Sequence, residues 1–195
     1  MTARGTVASL QAMKREGRKI VCVVAWDEGT ARVLDDAGVD MISVGDSGAR
    51  TFDELLVFCA AVRRGAERAV VSCDLPEPSV DAARRLAAVG ADLVKVEGVE
   101  QVRALAAAGV RVFAQIESAS EAKAMEEAGA ALIDFRHSGR EAGAEAVAAV
   151  AIPVLGGLGG GPWLDGRVRA VHKLLDEAVA AYAEDVRTGR PVKGD

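Results

Sequence analysis

The stretch Val80-Asp81-Ala82-Ala83-Arg84-Arg85-Leu86-Ala87-Ala88-Val89-Gly90-Ala91-Asp92-Leu93-Val94-Lys95-Val96-Glu97-Gly98 decides the fold. Its first ten residues carry a helical, Ala-rich pattern, and Gly90 closes them in the left-handed conformation that ends a helix. Leu93–Val96 is a short apolar strand, and a carboxylate, Glu97, follows at its end. The same joint recurs in both directions along the chain. Helices over Val7–Arg15, Thr30–Ala37, Phe52–Arg64, Gln101–Ala108, Ser120–Ala128 and Glu141–Val150 alternate with strands. The strands are Ile20–Ala25, Met41–Val44, Ala69–Cys73, Val110–Ile116, Ala131–Phe135 and Ile152–Leu155. Gly38, Gly65, Gly109 and Gly129 stand where Gly90 does, each predicted as a left-handed helix stop. Strands alternating with helices of this length give right-handed βαβ units and a parallel sheet. Seven strands are visible. An eighth falls within Val168–His172, a run that equally opens the last helix.

The expected fold is therefore α/β, a (β/α)8 TIM-type barrel that is small for its class and reduced or incomplete at the eighth strand. The alternative is an open doubly wound sheet. Its nucleotide signature after the first strand is absent, and Ala25-Trp26-Asp27-Glu28-Gly29 stands there instead. No Pro- or Ser-rich linker divides the 195 residues, so a single domain over 1–195 is expected.

Bulk composition narrows the function classes. The net charge is -5 and the two signs are interspersed, so there is no basic stripe of the kind nucleic acid requires. No run reaches the roughly 20 apolar residues of a membrane span, and the start of the chain has no apolar signal core. Cys22, Cys59 and Cys73 have no metal-type spacing and read as buried, reduced thiols of a cytoplasmic protein.

Three carboxylates follow three successive strands: Asp46 after Ile42-Ser43-Val44-Gly45, Asp74 after Val70-Val71-Ser72-Cys73, and Glu97. In a parallel α/β fold, strand C-terminal ends gather at one mouth, where the chemistry is done. Three carboxylates there repel one another unless protons or a cation intervene, and oxygen ligands suit Mg2+. Such an ion would chelate a 2-oxo acid and stabilise the enolate used in aldol addition or its reverse. Lys95 precedes Glu97 by two residues and shares its side of the strand. A cationic contact with the substrate and a Schiff base are both open to it. His137 is a candidate proton acceptor, with an exposed loop histidine as the alternative reading. Arg136 is a candidate partner for a carboxylate or phosphate, and Asp134, two residues before it, is expected to pair with it. Glu117 is a further acid–base candidate. Gly156–Gly161 is either a phosphate-binding loop or a connector. Trp26 is expected to pack against a neighbouring loop, and His172 to be structural.

Several of these stretches, in order, resemble the ketopantoate hydroxymethyltransferase family of the phosphoenolpyruvate mutase and isocitrate lyase type of barrel. They are Thr6-Val7-Ala8-Ser9-Leu10, Val44-Gly45-Asp46-Ser47, Val62-Arg63-Arg64-Gly65-Ala66, Cys73-Asp74-Leu75-Pro76, Val94-Lys95-Val96-Glu97-Gly98, Ala151-Ile152-Pro153-Val154 and Asp165-Gly166. The likeness is strong through Gly98 and patchy afterwards. It implies Asp46, Asp74 and Glu97 as metal positions, Ser47 and Lys95 as contacts to the oxo acid, and methylenetetrahydrofolate as one-carbon donor. It also implies a homo-oligomer. Two positions depart from the family pattern. Gln115 occupies the place of a histidine after the fifth strand, and Arg136 that of the catalytic glutamate after the sixth. A folate-independent C–C lyase or aldolase, and a non-catalytic paralogue that binds an oxo acid, stand as alternatives to the transferase.

Overall fold

The computed structural model describes residues 4–45, 51–157 and 159–191. In chain order the elements are α1 (Val7–Arg15), β1 (Ile20–Val24), α2 (Glu28–Asp36), β2 (Met41–Val44), α3 (Phe52–Gly65), β3 (Val70–Asp74), α4 (Val80–Ala88) and β4 (Leu93–Glu97). There follow α5 (Val99–Ala107), β5 (Val112–Ile116), α6 (Ala122–Glu127), β6 (Leu132–Phe135), α7 (Arg140–Ala149), β7 (Val154–Gly156), β8 (Gly166–Ala170) and α8 (Val171–Thr188). The eight strands pair in parallel, each with its sequence neighbour, and β8 closes onto β1. The barrel is thus complete. Its eighth strand starts two residues before the run marked in the sequence, and α8 takes over from Val171.

Strand alternation sorts the side chains into two cores. Val94, Val96, Ala114, Ile116, Ile133 and Phe135 point outward beneath the helices. Ile20, Cys22, Met41, Val70, Leu93, Phe113, Leu132 and Leu155 point inward and fill the lower barrel. Helix α1 plugs that end with Val7, Leu10 and Met13, and a Thr6–Ser9 capping box fixes its start. Lys14 on α1 bonds the carbonyls of Val147 and Ile152 and pairs with Asp165 at 2.9 Å, tying the plug to the β7–β8 side.

One helix stop departs from expectation. Gly38, Gly90, Gly109 and Gly129 have positive φ and end their helices in the left-handed conformation. Gly65 instead belongs to α3 itself, and a Cβ there would lie 2.2 Å from the Glu28 carbonyl oxygen. Its role is close approach of α3 to α2. Nearby, burial pushes the Asp35 carboxyl up, but donors from Ala69 and Arg68 outweigh it and hold the group below the usual carboxylate range.

The β7–β8 connection, residues 157–165, contains no helix among the described residues. Glycines at its start allow close backbone packing: a Cβ at Gly156, the last residue of β7, would meet the Phe135 carbonyl oxygen, and one at Gly157 the Val168 carbonyl oxygen. The outer face beside it is open, with Val21 of β1 and Arg167 and Arg169 of β8 exposed. Cys22, Cys59 and Cys73 are buried and unbridged. Among the described residues, no helix is long and apolar enough to cross a membrane.

Candidate functional site

The inward positions change character toward the strand C-termini. Above Val70, Leu93, Phe113 and Leu132 the same faces carry Ser72 and Asp74, Lys95 and Glu97, Gln115, then Asp134. Apolar side chains fill the lower barrel and polar ones the mouth. A cavity of about 440 Å³ opens there, lined by Asp74, Leu75, Pro76, Pro78, Lys95, Val96, Glu97, Gln101, Gln115 and Arg136. That size falls within the range of about 300–1,000 Å³ usual for small-molecule sites.

Lys95 is the electrostatic hub. Its Nζ lies 2.9 Å from Asp74 Oδ1 and 3.6 Å from Asp134 Oδ2, and all three side chains are close to nine-tenths buried. Burial by itself would pull the ammonium down, but the Asp74 and Asp134 carboxylates outweigh it and raise Lys95 above the usual lysine value. Burial raises the Asp134 carboxyl, and the nearby Asp74 charge adds to it, against the opposing pull of Lys95 and Arg136. Gln115 Nε2 donates a hydrogen bond to Glu97 Oε1, as their direct pairing across β4 and β5 allows.

The expected Asp134–Arg136 pair does not form. Asp134 faces the barrel interior, where Lys95 reaches across from β4, two strands away. Arg136 extends the β6 ladder by one bond, its N–H donating to the Ile116 carbonyl at 3.1 Å, and its side chain lines the cavity above.

The structure brings together Asp74, Lys95, Glu97, Gln115 and Arg136 of the residues singled out in the sequence. Asp46 and Ser47 lie outside the described residues. His137 is exposed, sits at φ 54° in the turn after β6, and is not among the cavity-lining residues. Glu117 is likewise exposed. His172 is exposed on α8. Trp26 packs as expected, its Nε1 donating to the Gly45 carbonyl at 2.9 Å. Among the described residues, no three His, Cys, Asp or Glu side chains are grouped closely enough to hold a metal. Gln101, which reaches the cavity from α5, escaped the sequence reading. Asp134, read there as a partner for Arg136, belongs instead to the lysine cluster. Alternation put Asp134 on the correct face, but only barrel closure supplies its partner.

A sequence profile of the family described as ketopantoate hydroxymethyltransferase matches residues 4–119. The 3-methyl-2-oxobutanoate hydroxymethyltransferase of Hyperthermus butylicus is 32% identical over 252 aligned positions, covering 95% of this chain and 87% of that protein. The protein of the same name from a Cyanothece species is 36% identical, covering 84% and 81%. The alignment with the Hyperthermus protein is longer than the 195 residues here, so that relative carries internal segments this chain lacks. Among solved structures, 2,3-dimethylmalate lyase, a member of the PEP mutase/isocitrate lyase superfamily, superposes with a TM-score of 0.71 at 16% identity, covering 96% of this chain and 88% of that one. Phosphoenolpyruvate phosphomutase from Streptomyces platensis gives 0.68 at 18%, covering 95% and 88%. These structural likenesses establish the shared barrel. With a profile spanning more than half its length and relatives above 30% identity over nearly all of it, this chain belongs to the ketopantoate hydroxymethyltransferase family.

Proposed function

We propose that this protein binds magnesium at the barrel mouth and transfers a one-carbon hydroxymethyl unit from methylenetetrahydrofolate to a 2-oxo acid. The observation that carries this reading is the convergence of Asp74, Lys95, Glu97 and Gln115 on one cavity. Magnesium is commonly held by one or two carboxylates, with water and substrate completing the shell. Asp74 and Glu97 supply hard oxygen donors of that kind, and Asp46 would add a third. When bound, the ion would polarise the 2-oxo group and so acidify the neighbouring carbon. The chain's own residues prepare the site. Lys95 orients Asp74 and screens it from Asp134. Gln115 fixes the rotamer of Glu97. Proline residues 76 and 78 stiffen the wall beside them.

Deuterium exchange at the α-carbon of 3-methyl-2-oxobutanoate, followed by NMR, tests this. Exchange is expected with magnesium, is expected to stop with a chelator, and is expected to fall at least about 100-fold in Asp74→Asn, since losing even an outer-shell partner costs 10–100-fold. Exchange indifferent to both would sink the proposal. Exchange without transfer from methylenetetrahydrofolate would favour the folate-independent lyase, whereas binding of magnesium and oxo acid without exchange would favour the non-catalytic paralogue.

We also propose that two or more copies associate through α8. None of its 18 residues is buried, and Leu175, Val179, Tyr182 and Val186 form a stripe at i, i+4, i+7 and i+11. The helix starts at the residue after β8, leaving no loop in which to turn back onto the barrel. The exposed β8–β1 face is therefore left for a second copy's helix. Val179→Glu together with Tyr182→Glu is expected to yield monomers by light scattering. A wild-type monomer would exclude the association.

A further inference from the structure

We propose that Arg136 selects 2-oxo acids that carry a second carboxylate. This rests on the magnesium–oxo acid reading above and adds the substrate class. Two basic side chains line the cavity, Lys95 and Arg136. Lys95 is already committed to two carboxylates, at 2.9 and 3.6 Å. Arg136 is not: among the described residues, its guanidinium takes part in no hydrogen bond and no ion pair, although it is half-buried against the cavity. Asp134 acts on this guanidinium only at a distance, and a partly desolvated cation without a hydrogen-bonded partner is costly, a cost that an incoming anion relieves.

Its place in the barrel separates it from the carboxylate end of the site. Asp74 ends β3 and Arg136 follows β6, with β4 and β5 between them. Strands spaced about 4.8 Å apart put the two ends roughly 14 Å apart along the rim, and less across the mouth. A 2-oxo acid whose keto and carboxylate oxygens sit beside Asp74 and Glu97 therefore directs its far end toward Arg136. The guanidinium fork matches a carboxylate with two parallel hydrogen bonds. An apolar branched tail would cover the same guanidinium without replacing its lost water. The cavity thus discriminates at the far end of the substrate.

Calorimetric titration of the magnesium-loaded protein with 2-oxoglutarate and with 3-methyl-2-oxobutanoate tests the assignment. The diacid is expected to bind at least about tenfold more tightly, the scale of one charge-assisted pair. Arg136→Gln is expected to remove that preference, weakening the diacid about 10- to 100-fold and leaving the monoacid within about twofold. Arg136→Lys, which keeps the charge but not the fork, is expected to fall between. Equal affinities in the wild type would overturn the proposal. So would an equal loss for both acids in Arg136→Gln, which would put Arg136 on the carboxylate they share. Failure of both acids to bind the wild type would instead bring down the oxo acid reading, and this inference with it.

Discussion

Lys95→Met is expected to destabilise the protein by about 3–5 kcal/mol, the scale set by removing one member of a buried ion cluster. For a chain of this size each kcal/mol moves the melting temperature by roughly 2–4 °C, so calorimetry should show a drop on the order of 10 °C. The reason lies in the geometry of the hub: Asp74 and Asp134 share one ammonium inside the barrel, where water screens little of their repulsion. Removing that charge takes away the pull that holds Asp134 down and pushes its proton affinity further upward. Carboxyls whose folded values exceed the unfolded ones bind more protons in the native state, so the native state loses stability as pH rises. The penalty in Lys95→Met should therefore be larger at pH 8 than at pH 5. Millimolar magnesium should restore more of the melting temperature in the variant than it adds to the wild type, because a divalent cation at Asp74 replaces the missing charge. A variant as stable as the wild type at pH 8 would show that the two carboxylates do not depend on Lys95.

The second large effect is expected at Gly65. A Cβ there would sit 2.2 Å from the Glu28 carbonyl oxygen and 2.9 Å from the Arg32 nitrogen, both backbone atoms of α2. Neither can move without shifting the helix. Gly65→Ala should cost about 3 kcal/mol, the upper end for overpacking, and calorimetric melting would register it. Gly109→Ala is the contrast. Gly109 has φ 79° and open space around its Cα, so only the left-handed backbone resists a side chain there. That substitution should cost about 1 kcal/mol, within the 1–2 kcal/mol of that conformation for a non-glycine residue. Equal losses at the two sites would refute the distinction.

The two glycines illustrate what local patterning can and cannot convey. Both follow Ala-rich or basic helical turns and precede a strand, so both read as helix stops. The backbone of Gly109 depends on its own φ, a local property. The need for glycine at 65 comes from α2, which packs across it from 29–37 residues earlier in the chain. The same division runs through the site. Alternation put Lys95 and Glu97 on one side of β4, because inward and outward positions follow a period of two within each strand, and both line the cavity. The assignment of Asp134 to Arg136 failed because side-chain reach across a closed barrel is not a property of one strand.

Alternating strand and helix periods, with glycine joints between them, were enough to fix the parallel α/β class of this protein and the end of the strands where its polar inward residues gather. Those features depend on short-range sterics and on which face of each element is apolar. Closure of β8 onto β1, the bridging of Asp74 and Asp134 by one lysine, and an Arg136 left to face the cavity depend on strand register and on distances between elements far apart in the chain. Only the folded barrel sets those, because contacts across its interior join residues that no local pattern relates.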